Sequence, residues 1–104
     1  MMINDATWVV GLWAKDTFPN QTADSILTHL EDEVGELLEA HGKGVGVGEE
    51  VADCLILLLC YAYYKGIDVE ASFLRKHRRN GRRKWGAPDA RGVHRHVGET
   101  EAPA

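Results

Sequence analysis

The sequence has little proline, little cysteine and, over its first seventy-four residues, few basic side chains. Pro19 is the only proline before Pro88, so long helices are allowed everywhere except at one break around Phe18-Pro19-Asn20. The two cysteines, Cys54 and Cys60, stand six apart on one expected helix, too far along its axis to bridge each other. They read as small core residues of a reducing compartment. The longest apolar run, from Cys54 to Tyr63, is ten residues, well short of the roughly 18 that cross a bilayer. The opening Met1-Met-Ile-Asn-Asp has no basic region followed by an apolar stretch, so no signal peptide is read. The expected location is the cytosol. No segment alternates apolar and polar residues in the manner of a strand.

Charge is present in quantity but unevenly placed. Residues 1–74 hold thirteen Asp/Glu against three Lys/Arg, whereas residues 75–84 hold seven Lys/Arg and no acid. An acidic body with one basic segment suits a cation-bound polyphosphate: carboxylates take the cations and the basic segment takes phosphate oxygens. The same segment, taken alone, would suit a nucleic-acid-binding helical module that holds phosphate backbones electrostatically. That rival reading gives the acidic residues no task, and their charge would repel the polymer. Nucleic acid is therefore disfavoured as a partner.

Four helices are legible. The first spans about Asn4 to Lys15 with Trp8, Val9, Leu12 and Trp13 as its apolar face. The second begins near Thr22 or Asp24, either of which can cap it, and ends by Gly42. Gly42-Lys-Gly-Val-Gly-Val-Gly48 reads as a hinge, since it lacks the Gly-Lys-Ser/Thr ending of a phosphate-binding loop and no strand precedes it. The third helix runs from about Glu49 to Tyr64 and stops at Gly66. The fourth is capped by Asp68 and carries Val69, Phe73, Leu74 and the basic segment.

Two acidic pairs stand out on the second and third helices. Glu33 and Glu36 are three residues apart, as are Glu50 and Asp53. At about 100° per residue each pair shares one helix face within roughly 60°. With Glu33 at zero, Ile26, Leu27, Leu30, Val34, Leu37 and Leu38 fall between roughly 20° and 140°, a normal apolar stripe. Glu33, Glu36 and His29 border that stripe, while Glu31 and Glu39 point away from it. Asp53 leads directly into the apolar run from Cys54. Like charges so placed repel each other and need a partner; hard oxygen donors suit Mg²⁺ or Mn²⁺. A di-iron carboxylate bundle is excluded, because none of His29, His41, His77, His94 or His96 has a Glu three residues earlier.

The third helix is apolar on every side and must be covered on every side. Three other helices of a small chain cannot do that, so a homodimer or homotetramer is expected. After Trp85-Gly86 the composition changes to Pro, Gly, Arg, His and Glu. Residues 1–86 are read as one domain and 87–104 as a disordered tail, with His94 and His96 solvated.

The acidic residues also carry a family resemblance. Asp32-Glu33-Val34-Gly35-Glu36, thirteen intervening residues and Glu50-Val51-Ala52-Asp53 resemble the signature of the MazG-like all-α nucleoside triphosphate pyrophosphohydrolases, with Asp32 in place of the usual first Glu. Lys76-x-x-x-Asn80-x-x-Arg83-x-Trp85 is similar to the last-helix element of the phage-type members. The resemblance implies an all-α, four-helix MazG-like bundle completed by oligomerisation. It implies that Glu33, Glu36, Glu50 and Asp53 coordinate Mg²⁺, with Mn²⁺ as substitute, and that Lys76, Asn80 and Arg83 contact phosphates. It implies conversion of a nucleoside triphosphate and water to the monophosphate and pyrophosphate, with a purine deoxynucleotide, dGTP or dATP, as substrate. Glu33 or Glu36 would be the base for an in-line attack by water, with Asp32 a ligand or an outer-sphere helper. Trp8, Trp13 and Phe18 could stack on a nucleobase, and at least two of them are expected to be ordinary core residues instead.

Overall fold

A computed structural model describes residues 2–99, with the backbone alone for Glu99. The chain divides into two compact units, Met1–Glu70 and Ala71–Ala104. Among the described residues four helices dominate, in the order α1 (Ile3–Thr17), α2 (Ala23–Lys43), α3 (Val47–Lys65) and α4 (Val69–Arg82), followed by two short strands, β1 (Arg83–Trp85) and β2 (His96–Glu99). The all-α expectation therefore holds for the body of the chain.

In the first unit α3 packs against both α1 and α2. The centre of that packing is small: Ala14, Ile26, Leu57 and Cys60 form the buried cluster, with Val10, Leu30, Tyr61 and Tyr64 packed against it. The approach of α1 to α3 depends on Gly11. A Cβ there would fall 2.1 Å from Tyr63 Cγ, so the tyrosine ring lies on the glycine backbone itself.

The start of α2 is set by Thr22 rather than Asp24. Thr22 Oγ1 accepts from the Ser25 N–H at 3.1 Å and Ser25 Oγ accepts from the Thr22 N–H at 2.9 Å, a reciprocal cap that satisfies two otherwise orphaned donors. The expected hinge is shorter than the glycine run suggests. Gly44 (φ 72°) closes α2 and Gly46 (φ 76°) opens α3, so only Gly44–Gly46 connects them, while Gly42 and Gly48 are helical. Left-handed backbone is what glycine permits at such a turn. Gly66 ends α3 in the same manner, with the Ile67 N–H bonded to the Ala62 carbonyl at 2.9 Å. Near the start of α4, the Asn4 side chain donates to Asp68 Oδ1 at 3.0 Å and accepts from the Glu70 N–H at 3.1 Å.

The second unit differs from expectation over residues 87–99. In place of a disordered tail, β1 and β2 pair antiparallel, with Arg83 opposite Glu99, Lys84 opposite Gly98 and Trp85 opposite His96. Asp89 organises the connection. Its Oδ1 accepts from the Arg91 and Val93 N–H groups at 2.8 and 2.9 Å, and its Oδ2 pairs with Arg95 Nη1 at 2.7 Å. The Arg95 guanidinium first, and these two backbone donors next, hold the Asp89 carboxyl below its ordinary range. The histidines are not idle either: His94 Nδ1 lies 2.7 Å from the Gly86 carbonyl, and the His96 ring meets Trp85 edge-on. Residues 100–104 of the expected tail lie outside the described residues.

Candidate metal centre and adjoining cavity

The acidic pairs sit where α2 and α3 face each other on either side of the Gly44–Gly46 turn. Glu33, Glu50 and Asp53 converge, each offering a carboxylate oxygen within 4.8 Å of the others. Glu33 and Glu50 are half-buried, and Glu33 Oε2 and Glu50 Oε2 are each sealed from solvent with no hydrogen-bond partner among the described residues. A buried carboxylate oxygen without a donor is costly to maintain, and two of the three converging residues carry one. Burial, then the Glu33 and Asp53 charges, push the Glu50 carboxyl up. Glu36 is exposed and lies beside the trio. Its carboxyl is raised first by close approach to Glu33 and then by the charges of Glu33 and Glu50. The donor set is all hard oxygen and carries more negative charge than it can neutralise by itself. It fits a Mg²⁺- or Mn²⁺-type divalent cation.

Neighbouring groups fix the edges of this site. His29 Nε2 lies 3.2 Å from Glu33 Oε1, one helical turn earlier on α2. Burial first, and then Glu33, Glu50 and Asp53, raise the Cys54 thiol, while burial alone raises Cys60. Both cysteines are free, in agreement with the expectation that they do not bridge each other; Cys60 is buried and Cys54 partly so. Asp32 is exposed and stands outside the trio.

A cavity of about 680 Å³ adjoins the acidic cluster, with Glu33, Asp53 and His29 on one side and Trp13, Phe18 and Gln21 among its other lining residues. Trp13 and Phe18 meet edge-to-face at 5.3 Å. Neither is core: Trp8, Trp13 and Phe18 are 60%, 54% and 45% exposed, which corrects the expectation that at least two of them would be ordinary core residues. Trp8 instead packs edge-on against Tyr63, away from this cavity's lining. Sequence reasoning also missed Gln21, whose side chain is tied to the Tyr64 hydroxyl at 3.4 Å, and Asn4; single amides carry no periodic signal.

In the second unit, Lys76 lines a groove of about 450 Å³ with Ser72, Arg75, Arg79 and Arg82. Asn80 and Arg83 are joined to each other, Arg83 Nη1 donating to Asn80 Oδ1 at 3.1 Å, and the Asn80 carbonyl accepts from Trp85 Nε1 at 3.0 Å. The basic segment thus presents an ordered face.

A helical scaffold that gathers carboxylates around a cation-sized gap, beside an aromatic-walled cavity, has the form of a divalent-cation site next to a small-molecule pocket. Comparison with known proteins narrows it. Residues 21–85 match the MazG nucleotide pyrophosphohydrolase domain, and the chain belongs to that family. It is 36% identical over 95 residues to a dATP/dGTP diphosphohydrolase of Salmonella phage PMBT28, a match that covers 91% of this chain but 31% of the relative. The chain thus spans about a third of that relative's length. Its fold is similar to the cyanophage S-2L MazG-like pyrophosphohydrolase bound to dGDP and three catalytic Mn²⁺ ions per active site. That likeness has a TM-score of 0.83 at 27% identity and covers 96% of this chain and 98% of the other.

Proposed function

We propose that the chain is a Mg²⁺-dependent nucleoside triphosphate diphosphohydrolase, with Mn²⁺ as substitute, converting a purine deoxynucleoside triphosphate, dGTP or dATP, and water to the monophosphate and pyrophosphate. The observation that carries the reading is the convergence of Glu33, Glu50 and Asp53, with Glu33 Oε2 and Glu50 Oε2 buried and without a hydrogen-bond partner among the described residues. The phage relative and the dGDP-bound neighbour support the choice of purine deoxynucleotides.

Glu33, Glu50 and Asp53 would hold the cation, with Glu36 beside them. A divalent cation, when bound, supplies neutralisation of the triphosphate and polarisation of the α-phosphorus. The remaining work belongs to the protein. Glu36, exposed and raised in pKa by its neighbours, accepts the proton of the attacking water. Asp32, exposed and outside the trio, is proposed as an outer-sphere helper. Trp13 and Phe18 offer aromatic surface to a base in the cavity that Glu33 and Asp53 also line. Lys76, Asn80 and Arg83 are proposed to hold phosphate oxygens, the Asn80–Arg83 bond orienting the guanidinium. Residues 1–86 would suffice for this chemistry.

The assembly is proposed to be a homodimer or homotetramer. Val51, Leu55 and Leu58 on α3 are about half exposed and Leu38 on α2 is 67% exposed, an apolar area that a second copy would cover. No described helix is long and apolar enough to cross a membrane. A cytoplasmic setting, the host's for a phage-encoded chain, is part of the same proposal.

The test is a panel of ribo- and deoxynucleoside triphosphates with Mg²⁺ or Mn²⁺, followed for pyrophosphate. Release from dGTP or dATP above the pyrimidines is expected. Salt-sensitive binding to duplex DNA without any such release would favour the nucleic-acid reading instead.

A further inference from the structure

We propose that His29 is a positioning residue of the acidic cluster: its imidazole restrains one oxygen of Glu33 and thereby presents the other to the cation. The inference rests on the metal-site reading above and deepens it. His29 Nε2 lies 3.2 Å from Glu33 Oε1. Because a carboxylate only accepts, the imidazole proton must sit on Nε2, a tautomer available to the neutral ring. The second oxygen, Glu33 Oε2, is buried and has no hydrogen-bond partner among the described residues. The two oxygens of one carboxylate thus have opposite surroundings, one held by a donor and the other bare among acidic neighbours.

A pair at the same spacing on the same helix shows what this contact is not. Lys43 and Glu39 also stand one turn apart, at 2.8 Å, and both side chains are 64% exposed. That pair is an ordinary surface ion pair. In the His29–Glu33 pair the histidine is 54% exposed but Glu33 is only 14% exposed. His29 is therefore a solvent-side group reaching to a sheltered carboxylate, and it lines the same cavity as Glu33 and Asp53. Glu36 and Glu50 crowd Glu33 with like charge, which favours any rotamer that carries the carboxylate away from them. The imidazole bond opposes that rotation. Groups that hold a ligand's second atom in this way commonly govern metal affinity.

The experiment is a Mn²⁺ titration of the full chain, read from the electron paramagnetic resonance of free Mn²⁺, alongside melting of the metal-free protein. Wild type, His29→Ala and His29→Gln are compared. His29→Ala should lose roughly tenfold in Mn²⁺ affinity. His29→Gln should recover most of it, because its amide donor reaches a side chain four residues on. All three should melt together without metal, which a merely structural role for His29 would not allow. Equal Mn²⁺ affinity in wild type and His29→Ala would overturn the proposal while leaving the metal site intact. So would equal weakness of the Ala and Gln variants. Failure of the wild type itself to bind Mn²⁺ would remove the metal-site reading and this inference with it.

Discussion

The two units of this chain are ordered by different forces. The first is held by burial: Ile26 is fully enclosed, Gly11 accepts the Tyr63 ring, and α3 is packed on two sides. In the second, α4 has no buried residue, and the hairpin beyond it is fixed by Asp89, Arg95, His94 and backbone bonds. Burial leaves a periodic trace in sequence, whereas a polar loop leaves none. The contrast also separates chemistry. Acids gather in the buried unit, where crowding makes them demand a cation, and bases gather in the exposed one.

The contrast breaks most severely at the acidic cluster. Glu36→Gln and Asp53→Asn keep side-chain shape and remove charge, so pyrophosphate release should fall by about a hundredfold or more with the fold retained. Near-normal turnover with unchanged circular dichroism in both variants would place the chemistry elsewhere. Next in size is the core. Ile26→Ala should cost about 2–5 kcal/mol, since the first unit has few other enclosed side chains to share the loss. A denaturation midpoint unmoved by this change would show that the unit is not held by burial.

The legibility of the molecule follows the same division. The apolar stripe of α2 and the run after Asp53 made α2 and α3 readable, and with them the faces carrying Glu33, Glu36, Glu50 and Asp53. The ends were less readable, because Thr22 and Asp24 are equally good caps on paper and the Thr22–Ser25 reciprocal bonds decide between them. Trp13 and Phe18 were misjudged because large aromatics usually mark a core. Here they wall a cavity, and only tertiary placement shows it. The hairpin over 83–99 was missed because one aspartate accepting from two backbone donors and an arginine orders a segment without any apolar face.

Acid titration sharpens the comparison with a smaller effect. Glu36 and Glu50 are raised above the ordinary 4.5, so the folded metal-free chain holds those protons more firmly than the unfolded one. Their contribution to stability is present below pH 4.5 and is lost as pH rises through the raised values. Asp89 is lowered from 3.8, so its contribution is present above that value and lost as pH falls through the depressed one. Melting curves of metal-free protein should show the first trend above pH 4.5, and Glu50→Gln should flatten it. A slope unchanged by Glu50→Gln would argue against the crowding. The smallest effect belongs to Glu39→Gln, which removes an exposed pair with Lys43. Activity should be unchanged and stability should shift by no more than about 0.5 kcal/mol; a larger loss would mean that surface charge pairs hold α2 together.

The central claim is hydrolysis at the α-phosphorus directed by the Glu33, Glu36, Glu50 and Asp53 cluster. It is tested most directly by turning over dGTP with Mg²⁺ in ¹⁸O-labelled water and reading the products by ³¹P resonance and mass. The account predicts deoxynucleoside monophosphate carrying the label, together with unlabelled pyrophosphate. Orthophosphate with deoxynucleoside diphosphate would contradict it.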